Sequence, residues 1–292
     1  VVLYRLELLA FLAVSALCRA LPRGAALRLG AALGRAACKI DRRHREIALA
    51  NHRRAFPEAS EAERERTIRD CFAFFGRYAF ELARTLPAFR ARDLERFEFE
   101  GLDHAYKALA TGRGVLCFTG HFGGWELQAL AAGAQGGTLG VIARPLDNPY
   151  LEERLKRLRT STGNFVIDKR AGFRPMLQAL REGKLVAMLI DQNVIGDERI
   201  FVPFFGVPAS TTPALGLLHV RTNAVLLPVF AYPKGADRWR LVYGPPVEVA
   251  PTGDRQEDVR RVTEACTRVL EDRVRESPHL WLWMHNRWKT RP

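Results

Sequence analysis

From about residue 95 onward, short apolar runs alternate with longer segments whose apolar residues recur every three to four positions. Few folds accept that rhythm. The spacing predicts strands over 97–100, 115–119, 139–143, 164–167, 185–190, 224–231 and 238–243. Between them it predicts helices over 102–110, 127–132, 149–162, 174–182, 213–222 and 254–275. Alternation of this kind implies an α/β fold, a largely parallel central sheet with helices on both faces. In such sheets sites form beyond the carboxyl ends of the strands. The candidates His121, Arg144 and Asp191 each follow a predicted strand and are expected on one rim.

Residues 1–90 read as helical instead, with apolar periodicity over 25–38, 47–56 and 67–86. Ser60 before Glu61 and Glu63 has the composition of a helix start, and Pro22, Pro57 and Pro87 mark the breaks. Phe72, Phe74, Phe75, Tyr78 and Phe80 are dense enough for a core or a lipid-facing surface. The apolar stretch from Leu8 to Cys18 is too short to span a bilayer, and no convincing cleavage signature follows it. With Arg5 and Glu7 near headgroups it suits an interfacial or shallowly inserted helix; a buried amphipathic helix is the alternative. The expected division is therefore a membrane-associating helical region, 1–90, and an α/β domain, 91–292.

The chemistry concentrates in His121-Phe122-Gly123-Gly124-Trp125-Glu126, placed between a predicted strand and a predicted helix. On one helix, residues five apart point about 140° apart, so the histidine and the carboxylate would not meet. Gly123-Gly124 permits a sharp turn and brings Glu126 into the first turn of the next helix, where negative charge is favoured. A carboxylate beside His121 fixes its tautomer and stabilises the imidazolium. The glycine N–H groups can then face an oxyanion. No serine or cysteine adjoins His121, and Cys117 lies inside the strand, so the attacking hydroxyl is expected from the substrate. A structural histidine and a plain turn account for each part alone; the combined arrangement is more specific than either.

The net charge of +13 points to an anionic partner such as a phosphorylated lipid, a membrane surface, an acidic carrier or nucleic acid, and part of it fits a solvated arginine-rich surface. Five cysteines, far apart and odd in number, fit reduced thiols rather than disulfides or zinc, and no metal is inferred. Arg144, held out of a helix by Pro145, can fork onto a phosphate or carboxylate, with Asn148 bracing the loop. Arg154, Lys156, Arg157 and Arg159 suit a solvated helix face. Asp191 ends an apolar strand as a cap or a functional acid. The segment 201–206, punctuated by proline and glycine, is expected as a loop on the core, a wall of an apolar pocket or a membrane-facing lip. Ser210-Thr211-Thr212-Pro213 resembles a helix start. Trp281, Trp283 and Trp288 with Arg287 and Lys289 suit a bilayer interface or core packing.

These residues also carry a family likeness. His121 to Glu126 resembles the H-x4-D/E motif of glycerolipid-type acyltransferases, in the form of the lipid A biosynthesis (lauroyl/myristoyl) acyltransferases. Asn51 to Glu58, Ala143 to Pro149, Asp191-Gln192-Asn193 with Phe201 to Gly206, and Trp281 to Lys289 are similar to further blocks of that family, so the resemblance covers nearly the whole chain. It implies transfer of a fatty acyl group from a thioester, acyl-ACP or acyl-CoA, to a hydroxyl of a lipid acceptor, foremost a lipid A precursor. The place implied is the cytoplasmic face of a bacterial inner membrane. His121 and Glu126 are then the catalytic pair. Gly123, Gly124, Arg144, Asn148, Arg157 more than Arg159, Asp191 and Gln192 bind substrate. No cofactor beyond the thioester cosubstrate is implied, and no nucleic-acid partner. A phosphatidylinositol mannoside or other lysolipid acyltransferase is the near alternative. A non-enzymatic basic protein rests on charge alone, and a thioester hydrolase lacks its Gly-x-Ser-x-Gly elbow.

Overall fold

The computed structural model describes residues 2–86, 88–169 and 172–292; the break expected at Pro87 lies outside them. The N-terminal region consists of α1 (Val2–Ala20), α2 (Arg23–Ile40), α3 (Arg42–Ala55) and α4 (Glu61–Thr85). The start of α4 is a full capping box: Ser60 Oγ accepts from Glu63 N–H at 3.3 Å, and Glu63 Oε2 accepts from Ser60 N–H at 2.9 Å. Helices α2 and α4 approach closely because small residues face each other. A Cβ on Gly34 would sit 2.1 Å from the Phe72 carbonyl oxygen, and one on Gly76 2.3 Å from that of Gly30.

The remainder runs α5 (Ala91–Leu94), β1 (Phe97–Glu100), α6 (Leu102–Ala110), β2 (Val115–Thr119), α7 (Trp125–Ala134), β3 (Leu139–Ala143), α8 (Pro149–Thr160), β4 (Phe165–Asp168), α9 (Arg174–Arg181) and β5 (Leu185–Leu189). It continues through β6 (Ile200–Phe204), β7 (Val207–Thr211), α10 (Ala214–Thr222), β8 (Val225–Lys234), β9 (Arg238–Tyr243) and α11 (Arg255–Glu276). The short α5 has no counterpart in the sequence reading. Seven strands form one sheet in the order β1-β9-β8-β2-β5-β3-β4, parallel except where β8 meets β9. This is the expected α/β architecture. Strand β2 is buried along its whole length, as a central strand covered on both faces must be.

The segment 201–206 is not the loop expected. It forms one strand, β6, and the turn of an antiparallel hairpin with β7, closed by Phe205 (φ 54°) and Gly206 (φ 71°). Two positive φ values at the central residues match strand twist, which favours such tight turns. Pro203 and Pro208 face each other one step beyond the closing pair. Alternation of pairs puts their missing N–H groups outside the ladder. Of the two environments that suit the C-terminal tryptophans, the chain uses the core: Trp281, Trp283 and Trp288 are buried. One contiguous cluster of buried side chains runs from Cys38, Ala48 and Ile68 through the sheet to Trp288, so the boundary near residue 90 does not separate two cores.

Candidate active site

Strand register assembles the site. Strands β2 and β5 are parallel neighbours, with Thr119 opposite Leu189. Two residues beyond that pair come His121 on one strand and Asp191 on the other. The Asp191 carboxylate takes three hydrogen bonds. Oδ1 accepts from the His121 ring at Nδ1, 2.8 Å; Oδ2 accepts from the His121 backbone N–H at 2.7 Å and from Trp281 Nε1 at 2.8 Å. Asp191 is 4% exposed. Burial alone would raise its pKa, but the His121 charge and these donors hold it well below the usual carboxylate range. Burial pushes the His121 pKa down, yet the Asp191 charge and hydrogen bond outweigh it, and the net result is a raised imidazole pKa. With Nδ1–H donated to Asp191, the lone pair of His121 resides on Nε2. That atom faces the Gln192 side-chain amide, whose Nε2 lies 3.3 Å away.

The carboxylate that meets the imidazole is thus Asp191, where the motif spacing suggested Glu126. Glu126 does begin a helix, α7, and its backbone N–H donates to Tyr78 Oη at 2.9 Å. Its carboxylate, however, is held by the guanidinium of Arg159, through Nε at 3.1 Å and through Nη2. Burial lowers the Arg159 pKa, and the bond to Glu126 more than restores it. A fork-to-carboxylate pair of this kind is strong and directional. Of the two arginines weighed on helix α8, Arg159 is the one that reaches Glu126. Arg157 is exposed and pairs with Glu153, one turn back, while Arg159 is buried. Replacing Arg159 by methionine strands the Glu126 charge, and the expected loss is about 3 kcal/mol in a urea melt. A second change, Glu126→Gln, should restore most of it; a double variant as unstable as the single would show that the pair is not coupled.

The glycines serve packing. Gly123 adopts φ +56°, and a Cβ there would lie 1.8 Å from the Ala231 carbonyl oxygen of β8; one on Gly124 would lie 2.6 Å from the Trp239 ring. Their N–H groups are spent, Gly123 on the Leu280 carbonyl at 2.9 Å and Gly124 on the Ala231 carbonyl at 3.1 Å. Neither faces an oxyanion, which corrects that expectation. Arg144 is exposed and sits 3.8 Å from Asp147 within its own loop. Asn148 caps α8 and donates to the Tyr4 carbonyl at 2.9 Å and Glu7 Oε2 at 2.8 Å. It therefore braces α1 against the loop after β3, rather than presenting its amide to a ligand.

The C-terminal segment is the part of the site that sequence reasoning missed. Residues 280–282 run antiparallel to the motif, with Leu282 N–H donating to the His121 carbonyl at 3.0 Å. Beyond them, Asn193 N–H donates to His285 Nε2 at 2.9 Å, and buried Arg287 donates to Thr211 Oγ1 at 2.6 Å and to the Ser210 carbonyl. These bonds fix the loop carrying Asp191 and Gln192. The signal available was a dense Trp/Arg segment without periodicity, which fits several environments equally. Among the described residues, no three His, Cys, Asp or Glu side chains gather as metal ligands.

Comparison with known proteins spans nearly the whole of this chain. The pattern of the family described as bacterial lipid A biosynthesis acyltransferase matches residues 3–290. The chain is 30% identical over 274 residues to the lipid A biosynthesis lauroyltransferase of Escherichia coli K12, covering 93% of this chain and 88% of that protein. It is 30% identical to the palmitoleoyltransferase of the same organism, over 90% of this chain and 85% of that one. To the myristoyltransferase it is 26% identical, over 89% and 80%.

Proposed function

The chain belongs to the bacterial lipid A biosynthesis acyltransferases and is an acyltransferase; from that premise we propose that His121 and Asp191 drive direct transfer of a fatty acyl group to a hydroxyl of a lipid A precursor. The observation that carries the reading is the fixed tautomer: Asp191 holds Nδ1–H, leaving Nε2 as an accessible base. Nε2 removes the acceptor's hydroxyl proton as the oxygen attacks the thioester carbonyl. The tetrahedral intermediate then breaks its C–S bond, and the imidazolium returns the proton to the departing thiolate. Asp191 stabilises the imidazolium between these steps. The Gln192 amide, beside Nε2, supplies N–H groups for the oxyanion. The Glu126–Arg159 pair shapes the wall next to α7. The thioester, acyl-ACP or acyl-CoA, is a cosubstrate, and this route draws on no metal or tightly held cofactor.

The test is transfer itself. Purified protein is given a lipid A precursor with acyl-ACP or acyl-CoA, and the product is followed by mass spectrometry. A mass gain of one acyl chain on the acceptor is expected with one of the donors. Hydrolysis of the thioester without any acylated lipid would sink the reading.

We place the enzyme on the cytoplasmic face of the inner membrane. No helix among the described residues is long and apolar enough to cross a membrane. Yet Val2, Leu6, Leu9 and Leu17 on α1 and Leu29 and Leu33 on α2 are exposed at helical spacing, which suits insertion to headgroup depth. The variant Leu6→Asp with Leu9→Asp should leave thermal stability unchanged and weaken vesicle binding about a hundredfold, from about 3 kcal/mol of lost apolar burial. Undiminished co-sedimentation would place the docking face elsewhere.

A further inference from the structure

A cavity of about 540 Å³ opens where the end of α1 meets the end of α4 and the start of α5. Among the described residues, six arginines line it: Arg19, Arg23, Arg84, Arg90, Arg92 and Arg96. The carboxylates on hand are Asp93 and Glu95 in the lining and Glu81, only 2% exposed, which Arg23 and Arg96 share. Cations therefore exceed carboxylates two to one. Part of the set is held in place before any ligand arrives. Arg84 donates to the carbonyls of Cys18 and Leu21 at the end of α1, Arg19 donates to the Leu86 carbonyl at 3.2 Å, and Arg96 also bonds Asp93 at 3.2 Å. Arg90 and Arg92 are exposed and within ion-pair distance of no carboxylate among the described residues. Beside the cavity, Arg23 Nε and Glu81 Oε2 are buried without a hydrogen-bond partner among the described residues. A buried N–H without an acceptor, on a side chain that lines the cavity, calls for one.

We propose that this cavity binds a phosphate group, presented as the headgroup of a lipid in the leaflet that α1 enters. Forked guanidiniums match phosphate geometry. A water occupies about 30 Å³ in the liquid, so the cavity takes a phosphate with its ester group. The location fits the source. The exposed apolar residues of α1 run to Leu17, two residues before Arg19, and exposed apolar residues resume on α2 at Leu29. A lipid whose chains lie along that face brings its phosphate level with Arg19 and Arg23. The site is separate from His121, and the proposal stands whatever the acceptor of the acyl group.

The test compares Arg90→Gln/Arg92→Gln with Arg42→Gln/Arg43→Gln, an equal loss of charge at exposed positions of the same helical region. Each protein is titrated with phosphatidylcholine vesicles doped with phosphatidic acid, and separately with soluble glycerol 3-phosphate. The pocket variant should lose about tenfold more vesicle affinity than the control, with both thermal midpoints unchanged. If glycerol 3-phosphate also binds, and the pocket variant alone loses it, the site accepts free phosphate esters as well as lipids. If it binds neither protein, the lipid is the source. Equal losses in the two variants would show only diffuse attraction of a basic surface, and the pocket assignment would be overturned.

Discussion

Alanine in place of His121 lowers acyl transfer about a thousandfold, the usual contribution of a positioned general base, and leaves the chain folded. The backbone N–H of residue 121 and the Trp281 indole still donate to Asp191 after the change. Only Oδ1 loses its donor, at a cost of about 1–2 kcal/mol. The measurement is kcat under saturating acceptor, with the thermal midpoint as the control for folding. Because free imidazole carries the same base as the deleted side chain, adding it should restore part of the rate. Near-normal transfer by the folded variant would assign the base elsewhere.

Asn in place of Asp191 is the second large effect, about a hundredfold or more in kcat. An amide can still accept from Trp281 and the His121 backbone. Its N–H₂ end then meets Nδ1, which must accept rather than donate. The proton moves to Nε2, and the base is in the wrong tautomer. The pH profile separates this from simple damage. In the native enzyme the Asp191 charge raises the His121 pKa, so activity is lost as pH falls through a value above that of ordinary imidazole. Removing the charge lowers that pKa, and the acidic limb of kcat/KM moves to lower pH while the plateau drops. Glu126 contributes least to the His121 shift, so Glu126→Gln should leave the limb nearly in place. The reverse pattern, with Glu126→Gln moving the limb and Asp191→Asn not, would return the orienting role to Glu126.

Much of the fold was legible because each element announces itself locally. Strands 97–100, 115–119, 139–143 and 238–243 stand where their apolar runs predict them, and the capping residues around Ser60 start α4. The hairpin at 200–211 was not legible. Its closing turn uses Phe205 at positive φ, a conformation that the residue type does not suggest, and its paired prolines disguise the strands. The C-terminal tryptophans were ambiguous because amphipathic rings suit a bilayer interface and a core alike.

By itself the sequence determined that His121 would stand at a strand end before a tight turn, with no protein nucleophile beside it, and that Glu126 would open the following helix. Those are consequences of periodicity, glycine and helix geometry within a few residues. Which carboxylate meets the imidazole was decided only by tertiary structure. Asp191 lies seventy positions from His121, and it arrives because β5 inserts beside β2 in register. Strand order is set by how the whole sheet buries its faces, a property no local window contains. The same holds for Arg159, drawn to Glu126 by the packing of α8 near α7, and for the C-terminal segment that locks the motif.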